Sequence, residues 1–173
     1  MTKEYLITGC AALLICGLIS CTWEKGSSLP EPVSGFELSR YMGKWYEIAR
    51  LPNPYENGMS SVSAEYSLHS NGEVRIVNRG LKKGKLKEIF GTARFKGDSD
   101  KGLLEVSFFQ PFYGEYRIIK LADDYSFSVV CSGKRKYLWI LARTPSLPDD
   151  TLAQLLVFIQ RSGFDPQNLI FRD

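Results

Sequence analysis

The sequence has few of the residues that carry catalytic or metal chemistry. Its 173 residues include four cysteines and one histidine, with no Cys-x-x-Cys pair and no cluster of the two types. No zinc site is therefore expected, and neither a metal nor a cofactor is predicted. There is no Gly-x-Ser-x-Gly elbow and no phosphate-binding glycine loop, and His69 falls beside a turn. No catalytic residue is predicted from these patterns.

Strong charge and biased composition are also absent. The net charge of +3 is too small to indicate a nucleic-acid partner by itself. With 15 glycines and 8 prolines the chain is neither collagen-like nor of disordered composition. A hydrophobic fraction of 44% over 173 residues suits one domain with one core.

Only the N-terminus carries a long apolar run, because residues 6–19 hold no charge. The run is shorter than the ~20 residues that span a bilayer, so residues 1–20 are predicted to be a signal peptide. The uncharged residues beside the run leave a retained anchor helix as an alternative. Leu18-Ile19-Ser20-Cys21 resembles a bacterial lipoprotein box, which implies cleavage before Cys21 and acylation of Cys21, with palmitate as a label for it. Cys131 then has no partner, and no internal disulfide is expected.

The rest of the chain divides into a linker and a domain of short alternating runs. Residues 21–34 are predicted to be the lipidated N-terminus and linker, because they combine Gly, Ser and Pro without periodicity. The domain is predicted over residues 35–173. It contains eight runs of period two, at residues 44–51, 61–69, 73–81, 87–95, 103–109, 115–121, 125–131 and 137–143. Short hairpins between such runs predict an antiparallel up-and-down sheet, which can close into a barrel.

The periodicity changes after the eighth run. Spacing of i, i+3, i+4 and i+7 predicts one amphipathic helix outside the sheet, formed by Leu152, Leu155, Leu156 and Ile159. Ser146 is predicted to cap its start and Gly163 to end it. Residues 169–171 are predicted to add an edge strand.

Three sequence blocks carry a resemblance to a known family. They are Gly43-Lys44-Trp45-Tyr46, Asp124-Tyr125 and Leu141-Ala142-Arg143-Thr144. In this order and spacing, the chain resembles a lipocalin of the bacterial outer-membrane group over residues 35–172. The resemblance implies an all-β fold, an eight-stranded antiparallel up-and-down β-barrel (the lipocalin calyx) with one C-terminal α-helix packed outside. It also implies that Trp45 closes the base of the barrel, with Arg143 on its ring and Gly43 leaving room for the chain.

Strand parity, counted from Trp45 and Arg143, predicts which side chains point into the barrel. The predicted ligand-binding residues are Val62, Ala64, Tyr66, Leu68, Val74, Ile76, Asn78, Leu104, Val106, Phe108, Tyr137 and Trp139. This mostly apolar set suits a small-molecule pocket, although the same side chains could simply fill the barrel. Glu47 is also predicted to point inward, as a structural ion pair, a polar anchor for a ligand or a catalytic group.

Two hairpins predicted at the open end are basic. They contribute Lys82, Lys83, Lys85 and Lys87, and Lys134, Arg135 and Lys136. One interpretation is that both are ordinary solvated turns. The other is that this basic rim captures the head groups of anionic amphiphiles.

The resemblance implies a lipid-anchored protein of the bacterial outer membrane with its barrel in the periplasm, since Thr22 rather than Asp follows Cys21. The implied function is binding of fatty acids, lysophospholipids or similar amphiphiles, for lipid storage or transport in envelope maintenance. The expected partners are that ligand, the membrane and the lipoprotein processing and sorting machinery, with a homodimer left open and no nucleic acid. The alternatives are a lipocalin-fold enzyme of isomerase or de-epoxidase type and a carrier of another small hydrophobic ligand.

Overall fold

The computed structural model describes residues 29–172. The predicted signal peptide, Cys21 and the linker up to residue 28 lie outside these residues. The strands are β1 (Gly43–Arg50), β2 (Met59–Leu68), β3 (Val74–Lys82), β4 (Lys85–Phe95), β5 (Leu103–Phe109), β6 (Phe112–Leu121), β7 (Phe127–Ser132), β8 (Leu138–Ala142) and β9 (Ile170–Phe171). The helices are α1 (Leu38–Tyr41), α2 (Asp149–Arg161) and a short 3-10 helix (Pro166–Asn168).

The first eight strands form a closed antiparallel barrel, as predicted. Strands β2 to β8 pair in chain order, from β2–β3 through β7–β8. β8 then pairs with β1, and β1 pairs with β2, which closes the barrel. The closing pair runs from Gly43 opposite Tyr66 to Tyr46 opposite Ser63. β9 adds a ninth strand beside β1, so the predicted edge strand is also confirmed.

Side chains alternate between the two faces of each strand, and the apolar ones form two separate hydrophobic cores. One lies inside the barrel toward its closed end and includes Trp45, Tyr66 and Ile76. The other lies outside the barrel, where Leu155 and Ile159 of α2 pack against strand residues of the opposite parity. The helix therefore covers one outer face of the barrel, as its spacing predicts.

The end of α2 agrees with the sequence prediction and its start does not. Gly163 adopts a φ of +85° and donates a hydrogen bond to the Gln160 carbonyl, which ends the helix. Ser146 does not cap the start, because α2 begins at Asp149, after Pro148. A proline disfavours helical conformation in the residue before it, so the helix cannot extend back to Ser146.

Two features at the closed end were not predicted. The short helix α1 precedes β1 and buries Tyr41 completely. Tyr125, predicted to begin the seventh strand, instead lies in the β6–β7 turn with a φ of +62°. Its hydroxyl accepts a hydrogen bond from the Glu37 backbone N–H at 2.8 Å, which ties this turn to the segment before α1.

Candidate functional site

The closed end of the barrel is sealed by Trp45 and Arg143. Trp45 is fully buried, and its indole N–H donates to the Tyr41 carbonyl at 2.8 Å. The guanidinium carbon of Arg143 lies 3.9 Å from the centre of the indole ring. The same guanidinium donates to the carbonyls of Lys44 at 3.0 Å and Arg40 at 2.7 Å. Arg143 therefore joins the indole ring to the backbone of the segment that precedes it, from Arg40 to Lys44.

Gly43 is required by its backbone conformation more than by lack of space. Its φ is +91°, a region that L side chains rarely adopt. A Cβ at this position would lie 3.5 Å from the nearest Arg143 nitrogen, which is an ordinary contact. The turn into β1 thus depends on the left-handed conformation of glycine.

Three tyrosine hydroxyls form the floor of the barrel interior. The Tyr116 hydroxyl lies 2.9 Å from that of Tyr41 and 3.0 Å from that of Tyr66. Ser128 adds a bond to Tyr41 at 3.1 Å. Burial raises the pKa of Tyr41 to about 12, and burial likewise raises the pKa of Tyr66 and Tyr116. The floor is therefore neutral, with its hydroxyls satisfied by one another.

Above this floor lies a cavity of about 100 Å³. Most of its lining is apolar or aromatic, with a smaller number of polar side chains. The lining residues are Glu47, Glu56, Val62, Ser63, Ala64, Tyr66, Ile76, Asn78, Val106, Phe108, Tyr116, Trp139 and Leu141.

Eight of the twelve residues predicted to bind ligand line this cavity. They are Val62, Ala64, Tyr66, Ile76, Asn78, Val106, Phe108 and Trp139. Val74 and Leu104 are also buried, but they lie outside the lining. Tyr137 lies outside it too and packs near Tyr55 and Trp139, with ring centres 6.0 Å apart in each case.

The prediction that Leu68 points into the cavity is wrong, since Leu68 is 51% exposed. Gly43, at the start of β1, already pairs with Tyr66. Leu68 therefore lies two residues beyond the last pair that β2 makes with β1. Parity assigns a face of the strand but does not reveal at which height the barrel is sealed.

A buried polar cluster lies in the cavity wall on the side of β1. Glu47 and Arg50 are 4% and 5% exposed and form an ion pair. Arg50 also donates to the carbonyls of Glu56 at 3.0 Å and Met59 at 3.1 Å. The Trp139 indole N–H donates to the Glu56 carboxylate at 3.0 Å. The ion pair expected for Glu47 is present, and two carboxylates share one arginine beside the cavity.

The surroundings of Glu47 favour its protonated form. Burial, and next the charge of Glu56, raise the pKa of Glu47 to about 7, while the charge of Arg50 opposes them. Sequence reasoning missed Glu56, because it lies in the β1–β2 loop without periodicity. It also missed Tyr116, which the period-two pattern with Ile118 could have indicated.

The remaining candidate groups lie away from the cavity. Cys131 is free and buried beneath α2, and burial raises the pKa of its thiol to about 11. His69 is exposed beside the β2–β3 turn. Among residues 29–172, no group of three or more His, Cys, Asp or Glu side chains is placed to hold a metal ion.

The basic rim is only partly assembled as predicted. Lys82, Lys83, Lys85 and Lys87 are all exposed in the β3–β4 hairpin, and Lys134 and Lys136 are exposed in the β7–β8 hairpin. Arg135 does not join them, because it donates to the Ser162 carbonyl at 3.1 Å and lies over the Phe164 ring. The negative end of α2 attracts this cation to the outside of the barrel.

The sequence profile of the lipocalin-like domain matches residues 36–173. The chain belongs to the lipocalin family. It is 43% identical over 144 residues to the outer membrane lipoprotein Blc of Vibrio cholerae serotype O1, a match that covers 82% of this chain and 84% of that protein. It is 39% identical over 163 residues to the outer membrane lipoprotein Blc of Escherichia coli K12, a match that covers 93% and 90%.

Solved structures agree on the fold. Insecticyanin of the tobacco hornworm Manduca sexta superimposes with a TM-score of 0.69 at 21% identity, over 83% of this chain and 84% of that one. The fold and the bacterial relatives together support a binder of a lipid or another small hydrophobic ligand. Among residues 29–172, no helix is long and apolar enough to cross a membrane.

Proposed function

We propose that this lipocalin binds a single-chain amphiphile, a fatty acid or a lysophospholipid, with its acyl chain in the barrel. The observation that carries the proposal is the mostly apolar cavity above the tyrosine floor, with the Glu47–Arg50 ion pair in its wall on the side of β1. Such a cavity favours a ligand that is apolar over most of its length and polar at one end.

The size of the cavity limits how such a ligand can sit. Its volume of about 100 Å³ is below the ~300–1,000 Å³ of pockets that enclose a drug-sized ligand. We therefore expect the end of the acyl chain to occupy the cavity and the rest of the ligand to fill the mouth. The exposed lysines of the two hairpins would then meet an anionic head group.

The proposed location is the bacterial outer membrane, with the barrel in the periplasm. Two observations support it: the lipoprotein box that ends at Cys21, and two relatives that are named outer membrane lipoproteins. Two or more acyl chains on Cys21 would make the attachment effectively stable. The proposed role is storage or transport of lipid during maintenance of the envelope.

We propose binding rather than catalysis, because the best candidate base is occupied. Glu47 is buried against Arg50, and Cys131 lies beneath the helix on the other side of the barrel wall. The tyrosine hydroxyls at the floor are neutral and bonded to one another.

Native mass spectrometry of protein extracted gently from its own membrane tests the proposal. We expect an added mass that fragments as a fatty acid or a lysophospholipid. Ala64→Trp places an indole in the cavity and should remove this mass, whereas the neighbouring Glu65→Trp lies on the outer face and should keep it. A tetrapyrrole mass, or the same occupancy in both folded variants, would contradict the proposal.

A further inference from the structure

The β3–β4 hairpin projects beyond β5 and β6 on one side, while β2 accompanies it to its tip on the other, where Met59 pairs with Lys82. β3 and β4 stay paired up to Lys82 opposite Lys85, but β4 pairs with β5 only from Thr92 to Phe95. The β5–β6 turn ends at the pair Phe109–Phe112, where the continued register places Phe109 opposite Phe90. The hairpin therefore extends roughly 15 Å past the β5–β6 tip, at about 3.3 Å per residue.

Large apolar side chains are exposed on both of these projections. On the tip, Phe112 is 78% exposed and Phe109 is 66% exposed. On the hairpin, Leu86 is 61% exposed, and Phe90 and Ile89 are also exposed. Single exposed apolar residues are ordinary, but a group of five at one end of a domain indicates an interaction surface.

The end of the barrel that carries the β3–β4 hairpin is basic, whereas the closed end is not. The hairpin exposes Lys82, Lys83, Lys85 and Lys87, and its carboxylate, Glu88, is paired with Arg79. The loops at the closed end expose four carboxylates, Asp98, Asp100, Asp123 and Asp124. Exposed apolar side chains and positive charge therefore occur together at this end of the barrel, which complements an anionic surface.

We propose that this end of the barrel docks onto the surface of a bilayer that contains anionic phospholipid. The docking face consists of the five apolar residues Leu86, Ile89, Phe90, Phe109 and Phe112 and the four hairpin lysines. Aromatic and aliphatic side chains enter the boundary between head groups and acyl chains, and the lysines contact phosphates. The inference rests on the proposed lipid ligand and anchor, and it adds how the mouth of the barrel is oriented.

The position of the N-terminal segment allows this orientation. Pro30 lies against the outside of β6, where its carbonyl accepts a hydrogen bond from Arg117 at 3.2 Å. Arg117 is five residues from Phe112, or roughly 17 Å along the strand. The eight residue-to-residue steps from Cys21 to Leu29 allow a reach of up to ~28 Å, which is enough to reach the plane of the docking face. An amphiphile could then pass from the bilayer into the mouth without crossing water.

Depth-dependent quenching in vesicles tests the proposal. The full acylated chain carrying Phe112→Cys is labelled with an environment-sensitive fluorophore and reconstituted into vesicles of phosphatidylethanolamine and phosphatidylglycerol. The control is Val157→Cys, an exposed position on α2 at 48%. We expect a nitroxide-bearing lipid to quench the label at residue 112 several-fold more than the label at residue 157. Equal quenching at the two positions, or none, would overturn the proposal.

Reversing the charge of the hairpin lysines is the second part of the experiment. Changing the four hairpin lysines to Glu should lower the quenching at residue 112 to the level of the control, whereas Lys44→Glu with Lys120→Glu should not. Self-quenching of the label without lipid, rising with protein concentration, would assign the face to a second copy of the chain and overturn the proposal. Fatty-acid binding is titrated on the same samples, so a folded protein that binds ligand without docking separates this inference from the proposed function.

Discussion

Removing the seal at the closed end of the barrel is the sharpest test of the structure. Trp45→Ala and Arg143→Ala should each destabilise the protein, and the double variant should lose less than the sum of the two. The reason is the direct contact of 3.9 Å between the guanidinium carbon and the ring centre. Each single change already removes that shared contact, so the double change cannot remove it twice.

The magnitudes follow from burial and bonding. Trp45 is fully buried, and truncating such a side chain costs about 3–5 kcal/mol. Arg143 loses its contact with the ring and its bonds to the carbonyls of Lys44 and Arg40, which together cost about 2–3 kcal/mol at this partly exposed site. The coupling between the two should be about 0.5–2 kcal/mol, the range for a guanidinium over an aromatic ring.

Urea titrations followed by circular dichroism measure these values without relying on tryptophan emission. A domain is typically stable by only about 5–15 kcal/mol, so a milder cycle with Trp45→Phe and Arg143→Lys is measured beside the alanine cycle. Lysine keeps the charge but loses the planar fork, so it should restore only part of the stability. The control pair is Trp45→Ala with Arg79→Ala, because Arg79 lies on the outer face of β3 and binds Glu65 and Glu88.

The control pair should be additive to within ~0.5 kcal/mol. If the Trp45–Arg143 pair is equally additive in both cycles, the two side chains do not interact, and the account of the seal is refuted.

The remaining predictions concern the anchor, the buried carboxylate and the hairpin. Cys21→Ser should abolish palmitate incorporation while the barrel still folds, and label retained by the variant would exclude Cys21 as the acylation site. Because burial raises the pKa of Glu47 from 4.5 to about 7, the native state holds this proton more tightly than the unfolded chain, so stability falls as pH rises from about 4.5 to about 7. Glu47→Gln should flatten that part of the thermal stability profile, and an unchanged slope would assign the dependence to other groups. Changing the four hairpin lysines to Glu should weaken binding of anionic lysolipids by about one to two orders of magnitude, more than that of zwitterionic ones and less at high salt, at ~0.2–1 kcal/mol per exposed charge. Equal losses for both lipid classes would indicate a packing defect in the hairpin instead.

Local sequence patterns predicted most of the fold. Alternation with period two revealed eight strands, because each strand of an antiparallel barrel has one buried and one solvated face. Spacing of three and four residues revealed α2, because its apolar stripe covers one outer wall. Trp45 and Arg143 were assigned to the closed end by resemblance, and their contact is present in the structure. These features depend on residues close together in the sequence or on a motif, so they can be predicted without knowledge of the tertiary structure.

Parity also identified most of the cavity lining, including Ala64, Ile76 and Val106. It failed for Leu68, since the height at which the barrel is sealed depends on how β1 is staggered against β2. Arg135 was likewise assigned to the rim by its hairpin, but it turns to the carbonyl end of a helix that follows much later in the chain.

Only the tertiary structure decided which polar groups meet at the site. Glu56 lies in a loop and meets Arg50 and Trp139 only after the barrel has closed. The hydroxyls of Tyr41 and Tyr116, 75 residues apart, meet at the floor for the same reason. Periodicity reports which face of an element is buried, whereas a hydrogen bond between distant residues requires a defined stagger and a defined rotamer. The sequence by itself therefore determined the barrel, its helix and its apolar interior, and the closure of the barrel determined which polar groups meet there.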